Sequence, residues 1–241
     1  MTGTSGPQLA SLSFSPRKTR RLHARALLAA PEGASRVRVK VMDILPWIPV
    51  TQPREVELPV VDGVVQCDVE QDVLYIAQVE RYGKNGNVGH AFMGAFHLKS
   101  GAVASSVGHD NHNIIVMGTN FEDMAFAVNH LVKIQGGQCL VENGQVVREA
   151  AYPICGLLSD LSCEELAAQK DVLNAALAER GRIIPITFMF LSFICLAAAR
   201  RWACRLVPLR LVVPLTCRLL TPNGRIPTSP ALASLTRRRT A

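Results

Sequence analysis

The sequence predicts an α+β domain of mostly short antiparallel strands with two main amphipathic helices, flanked by disordered basic ends. Three observations carry that expectation. Several short runs alternate apolar and polar residues, the period-2 signature of strands buried on one face. Two longer stretches space their apolar residues three and four apart behind a capping sequence, which marks amphipathic helices. Asp62-Gly63 and Asn143-Gly144 stand between strand-like runs, where tolerance of positive φ closes a tight hairpin.

Residues 1–35 are rich in Ser, Pro, Gly and Arg and read as a disordered basic leader. Order is expected from Arg36, where Val37, Val39 and Val41 alternate with polar residues. Pro46, Pro49 and Pro53 mark a loop. Val56, Leu58 and Val60 form a second strand, and the Asp62-Gly63 turn leads to Val64-Val65. Asp72–Glu80 is a further strand. A glycine-rich loop holding Gly83, Gly86 and Gly89 opens into His90–Leu98, followed by strands over 102–107 and 113–117.

A helix is expected over 120–134. Thr119 and Glu122 stand in capping-box spacing, and Met124, Ala127, Val128, Leu131 and Val132 make one stripe that Gly136-Gly137 ends. A hairpin joins Gln138–Glu142 to Gln145–Arg148. Ser162 and Glu165 cap a second helix reaching Arg180, with Leu166, Leu173, Ala176 and Leu177 facing inward. The run 183–199 has no charge, but it is short for a bilayer span and contains Pro185, Thr187 and Ser192. Phe188–Leu196 therefore reads as a buried core segment. The organisation expected is a leader over 1–35, a domain over 36–196, and a divergent Arg- and Pro-rich tail over 197–241.

Composition narrows the function. With 49% hydrophobic and 19% charged residues, the 241-residue chain can build a real core. Its net charge of +7 is unevenly placed: residues 1–40 hold eight Lys/Arg against Glu32 alone, and 194–241 hold nine Arg with no acid. The middle carries nine bases against eighteen acids. A nucleic-acid reader would place its basic patch on the folded face beside stacking aromatics, so that class of partner is not expected, nor is a membrane. Seven cysteines without a C-x-x-C pair disfavour a disulfide framework or zinc ribbon and read mostly as small buried apolar residues. They favour a reducing compartment, the cytoplasm. The Arg-rich, acid-poor segment Ser11–Arg38 leaves an organelle matrix as the alternative.

The densest chemistry lies at His109, Asp110, His112 and Asn113, between two apolar strand-like runs. Polar groups placed so are costly unless bonded, so the cluster is a paired network or a site. In an extended segment His109 and His112 would point to opposite faces, and a shared metal would need a turn there. The H-E-x-x-H spacing is absent, and so are the H-x-E and P-C-x-x-C of zinc-dependent cytidine-type deaminases, since Pro153-Ile-Cys155 lacks the second cysteine. The glycines at 83–89 lack the G-K-[ST] of a phosphate loop. His90, His97 and His130 read as lone structural histidines. The cluster is read as a substrate-facing or pocket-bracing loop, in which Asp110 orients an imidazole and Asn113 bonds a base edge or fixes the turn. No general acid or base is assigned.

Several segments, in order and spacing, resemble the C-terminal domain of bacterial-type adenine deaminases of the metal-dependent amidohydrolase superfamily. They are Asp72–Arg81, Gly89–Lys99, Gly101–Asn120 with its His-Asp-x-His-Asn cluster, Glu122–Leu131, Gly136-Gly137, Pro153–Asp160 and Phe188–Leu196. The resemblance implies hydrolysis of adenine to hypoxanthine and ammonia in purine salvage, by attack of a metal-activated hydroxide on C6. It implies Mn or Fe held by an N-terminal barrel that opens with an H-x-H strand. This chain has no H-x-H. It is therefore expected to bind no cofactor by itself, to be inactive alone as a truncated form, and to meet adenine with a separate amidohydrolase barrel chain or as a homo-oligomer. Asn111 stands where such domains usually have Ser, and Tyr82-Gly-Lys-Asn replaces a His/Gly-rich stretch.

Overall fold

Nine strands and three helices follow from the polarity pattern among the residues described by the computed structural model, which are 28–45, 48–83, 87–109, 111–182 and 187–195. The strands are β1 (Arg36–Leu45), β2 (Ile48–Val61), β3 (Val64–Val65), β4 (Val73–Val79), β5 (Val88–Gly94), β6 (Ala102–Ser105), β7 (Ile114–Gly118), β8 (Gly137–Glu142) and β9 (Gln145–Ala151). The helices are α1 (Phe121–Lys133), α2 (Cys163–Glu179) and α3 (Thr187–Ile194).

All nine strands join one sheet in the order β3-β2-β1-β5-β4-β7-β6-β8-β9. Neighbours run antiparallel except β1 and β5, where Val41 pairs with Phe92 in parallel register. The central strands β4, β6 and β7 are buried along their whole length because both faces are covered. On one face Tyr75, Ala77, Ala104, Val116 and Val141 pack under Met124, Ala127, Val128 and Leu131 of α1. On the other, Leu74, Ile76, Val103, Met117 and Leu140 meet Leu173 and Leu177 of α2 and Phe190, Leu191 and Ile194 of α3. Helix, sheet and helix thus make three layers, an α+β architecture.

Local signals set most boundaries. Asp62 and Gly63 have φ of 51° and 75°, and Asn143 and Gly144 have 53° and 70°, as two-residue hairpin turns require. Ser162 and Glu165 form a reciprocal capping box at the start of α2. At the other end of α2, Arg180 reaches back to Glu142 with Nη2 and Nε at 2.7 and 3.1 Å, and Ser100 bonds the same carboxylate.

Four expectations need correcting. Pro49 and Pro53 lie within β2 rather than in a loop. That strand pairs with β3 only at Val60 and Val61, so most of its outer side is an open edge, where a missing N–H is tolerated. Helix α1 is capped by Asn120, whose side chain accepts from the Asp123 amide at 2.7 Å, and not by Thr119, whose hydroxyl turns to the Gly101 carbonyl. Residues 28–35, assigned to the leader, pack on the sheet: Leu28 is buried and its carbonyl accepts from the Val65 amide at 2.9 Å. Among the five described cysteines, Cys139 and Cys195 are buried, but Cys155 and Cys163 are exposed. Burial pushes the half-buried Cys67 thiol up to about 11, against hydrogen bonds that oppose the rise.

Phe188–Leu196 is expected as core, and its described part, through Cys195, is helix and helix end, buried except for exposed Met189 and half-buried Phe193. No helix among the described residues is long and apolar enough to cross a membrane. The remainder of the leader and the tail over 197–241 lie outside the described residues.

Candidate functional site

The face under α2 and α3 changes character toward one end of the sheet. Gln78 of β4 sits opposite Ile115 of β7, which sits opposite Ser105 of β6, which in turn sits opposite Gln138 of β8. Gln78, Ser105 and Gln138 are all buried, as are Glu80 and Asn113 one step further out. Period-2 alternation puts these side chains on the same face as Leu74, Ile76 and Met117, so a polar row terminates an otherwise apolar layer. The connection from β6 to β7, residues 106–113, lies at this end.

That connection is a tight turn. The His112 amide donates to the Gly108 carbonyl at 2.8 Å and the Asn111 amide to the His109 carbonyl at 2.9 Å. His112 takes a left-handed φ of 45°, a region few residues other than glycine enter and in which Asn, Asp and His are enriched. Asn111 is the hub. Its Oδ1 accepts from Gln78 Nε2 at 2.9 Å and from the Asn113 amide at 3.0 Å, while its Nδ2 donates to the Cys195 carbonyl at 3.4 Å. Its own carbonyl accepts from the Tyr82 hydroxyl at 3.0 Å. Asn113 is buried with Oδ1 accepting from the Arg81 amide at 3.4 Å. Both asparagines therefore bind the loop to β4 and to the end of α3.

His109 is held from the helix side. Its amide donates to the Ser192 carbonyl at 3.0 Å, its Nδ1 lies 2.9 Å from Ser192 Oγ, and its ring stacks on Phe193 with centroids 4.0 Å apart. Ser106 anchors the other shoulder. Its buried hydroxyl contacts the Gly156 carbonyl at 2.6 Å and accepts from the Gly137 amide at 2.8 Å. There Gly136 has φ of 116°, and a Cβ on it would stand 2.3 Å from Gly156 Cα, so the two segments meet backbone to backbone.

Of the four residues singled out in the sequence, the structure places His109, His112 and Asn113 in one turn; Asp110 lies outside the described residues. The turn that a shared metal would require is present. Yet among the described residues no three His, Cys, Asp or Glu side chains gather closely enough to hold a metal ion. The Mn or Fe implied by resemblance does not fit the groups described here. His97 and His130 pair with Asp72 and Glu149. Sequence reasoning missed Asn111 as the hub with its donor Gln78, and Ser192 and Phe193 as the surroundings of His109. Asn111 stood out only as a departure from a usual serine, and Ser192 only as a hydroxyl, with Thr187, in an otherwise apolar helix.

The loop, the three helices and the strands from β2 onward fall within the match to a known domain. The model of the adenine deaminase C-terminal domain matches residues 49–202, well over half the chain, and the protein belongs to that family. It is 44% identical over 168 residues to an adenine deaminase of Desulforamulus reducens, covering 70% of this chain and 29% of that protein. Adenine deaminase 1 of Carboxydothermus hydrogenoformans is 42% identical over 187 residues, covering 77% and 31%. An adenine deaminase of Moorella thermoacetica is 43% identical over 167 residues, covering 69% and 28%. The chain thus spans less than a third of the length of these curated relatives.

Proposed function

We propose that this polypeptide is the C-terminal module of an adenine deaminase. It takes part in the hydrolysis of adenine to hypoxanthine and ammonia together with a metal-bearing amidohydrolase barrel supplied by sequence outside these 241 residues. The observation that carries the reading is the 42–44% identity to adenine deaminases, all of it within a segment that makes up less than a third of each relative. The loop that carries His109 and His112 is the part of the module we assign to the purine pocket, with Asn111 and Asn113 as braces; Asp110 joins this group by sequence alone. Manganese or iron belongs to the barrel, and no step of the reaction is assigned to the side chains described here. The setting is the cytoplasm.

A barrel on a separate chain is the second reading, and one feature favours it. Tyr82, Ile154, Leu158 and Met189 are large apolar side chains at 48%, 44%, 63% and 54% exposure. Each belongs to a segment hydrogen-bonded to the loop or to its supports, and together they frame it with apolar surface fit for association. Purified chain incubated with adenine and Mn²⁺ is expected to form no hypoxanthine. Adding the separately expressed barrel of the Desulforamulus reducens relative is expected to produce it. Robust turnover by the 241-residue chain alone would overturn the module reading.

A further inference from the structure

The hydrogen bonds around His109 determine more than its position. Ser192 Oγ lies 2.7 Å from the Met189 carbonyl, and a carbonyl can only accept, so the single hydroxyl proton points there. At its 2.9 Å contact with His109, Ser192 Oγ must then be the acceptor and Nδ1 the donor. A neutral imidazole with its proton on Nδ1 keeps a lone pair on Nε2. The backbone bond to Ser192 and the stack on Phe193 prevent the ring from turning that lone pair away. Among the described residues Nε2 meets no protein partner, whereas the amide groups of Asn111 and the carbonyl of Asn113 are already engaged.

We propose that His109 is the ligand-facing residue of this loop, a fixed hydrogen-bond acceptor that takes an N–H of a flat heteroaromatic ligand on Nε2. Asn111 and Asn113 are positioning residues that hold the turn for it. A half-buried imidazole stacked on an aromatic ring, beside polar groups that are already engaged, offers one directional acceptor, which suits a purine carrying ring or exocyclic N–H groups. The inference rests on the module reading for the identity of the ligand; the protonation pattern of the ring does not.

Nitrogen-15 NMR of the histidine-labelled 241-residue chain tests both parts. At a pH where the ring is neutral, His109 is expected to show a protonated Nδ1 and an unprotonated Nε2, and Ser192→Ala to lose that preference. Adenine is then expected to shift the Nε2 resonance, in the chain alone or with the barrel added. His109 protonated on Nε2 overturns the proposal. An Nε2 resonance that ignores adenine up to its solubility limit, with and without the barrel, overturns it equally. With the barrel present, His109→Ala keeps its amide bond to Ser192 and is expected to raise KM about tenfold while leaving kcat unchanged, the size of effect of one lost hydrogen bond. A fall in kcat at constant KM counts against it. Should both NMR results hold while no barrel restores turnover, the site stands and the module reading falls.

Discussion

The two faces of the sheet are built from the same strands and solve different problems. Beneath α1 the middle of the sheet is apolar, from Tyr75, Ala77, Ala104 and Val116 to Cys139 and Val141, and Glu149 of β9 meets His130 of α1 at its rim. Beneath α2 and α3 the same strands carry Gln78, Glu80, Ser105, Asn113 and Gln138 at one end, all buried. The first face needs only volume and shape, and any well-packed set of side chains would serve it. The second calls for partners, which Asn111 supplies to Gln78 and the Tyr82 and Arg81 amides supply to Glu80 and Asn113, while Gln138 Oε1 is buried without one among the described residues. The α1 face thus tolerates exchange among apolar side chains, whereas the polar end of the other face depends on specific partners.

The largest expected effect tests the seam that anchors the polar end. Gly136→Ala would force a Cβ into the Gly156 backbone at a φ of 116°, and a loss of about 3 kcal/mol or more is expected in urea unfolding. A loss under about 1 kcal/mol would mean that the seam yields easily and does not hold the loop.

A matched pair of variants sharpens the comparison further. Ile114→Ala removes a fully buried side chain from the α1 face and is expected to cost about 2–5 kcal/mol without moving the His109 ring resonances. Gln78→Leu removes one donor to Asn111, which keeps its bond from the Asn113 amide, and should cost only about 1 kcal/mol. Yet it is the second variant that should move His109. If both variants shift those resonances alike, the two faces are not functionally separate.

These differences also explain what could be read in advance. The turns at Asp62-Gly63 and Asn143-Gly144, the Ser162 capping box and the stripe of α1 rest on residues within four positions of one another, and each was legible as a local pattern. The prolines of β2 misled because a proline's compatibility with a strand depends on whether that strand is an edge, a property of the whole sheet. The cap of α1 slipped by one residue because Thr119 found a competing carbonyl at Gly101. The site was harder. His109, His112 and Asn113 stood out by type, but the contacts that give the loop its form join Asn111 to Gln78 and Cys195, and His109 to Ser192. They cross 33, 84 and 83 residues. No periodicity encodes such pairings.

The smallest effect lies at the opposite end of the polar face, in the clasp between Glu142 and Arg180. The hydrogen bond from Ser100, and after it those from Arg180, hold the Glu142 carboxyl below its ordinary value. A lowered folded-state value adds stability above the unfolded carboxylate range, and that stability is lost as pH falls through the folded value. Ser100→Ala is expected to move acid unfolding, followed by circular dichroism, to slightly higher pH. Unchanged acid midpoints would show that the Ser100 bond adds nothing to the clasp and that Arg180 alone holds the Glu142 carboxylate.

The supports of His109 at Ser192 and Phe193, and that of Asn111 at Cys195, all belong to the last described stretch of the chain. On the ribosome the sheet strands and α1 emerge first, and domains assemble as their sequence becomes available. The nascent chain can thus close its α1 layer while the turn at 106–113 still lacks its lid. Ligand recognition would mature only after α3 leaves the exit tunnel, so a product released before Thr187 would keep the α1 layer and lose its grip on the imidazole.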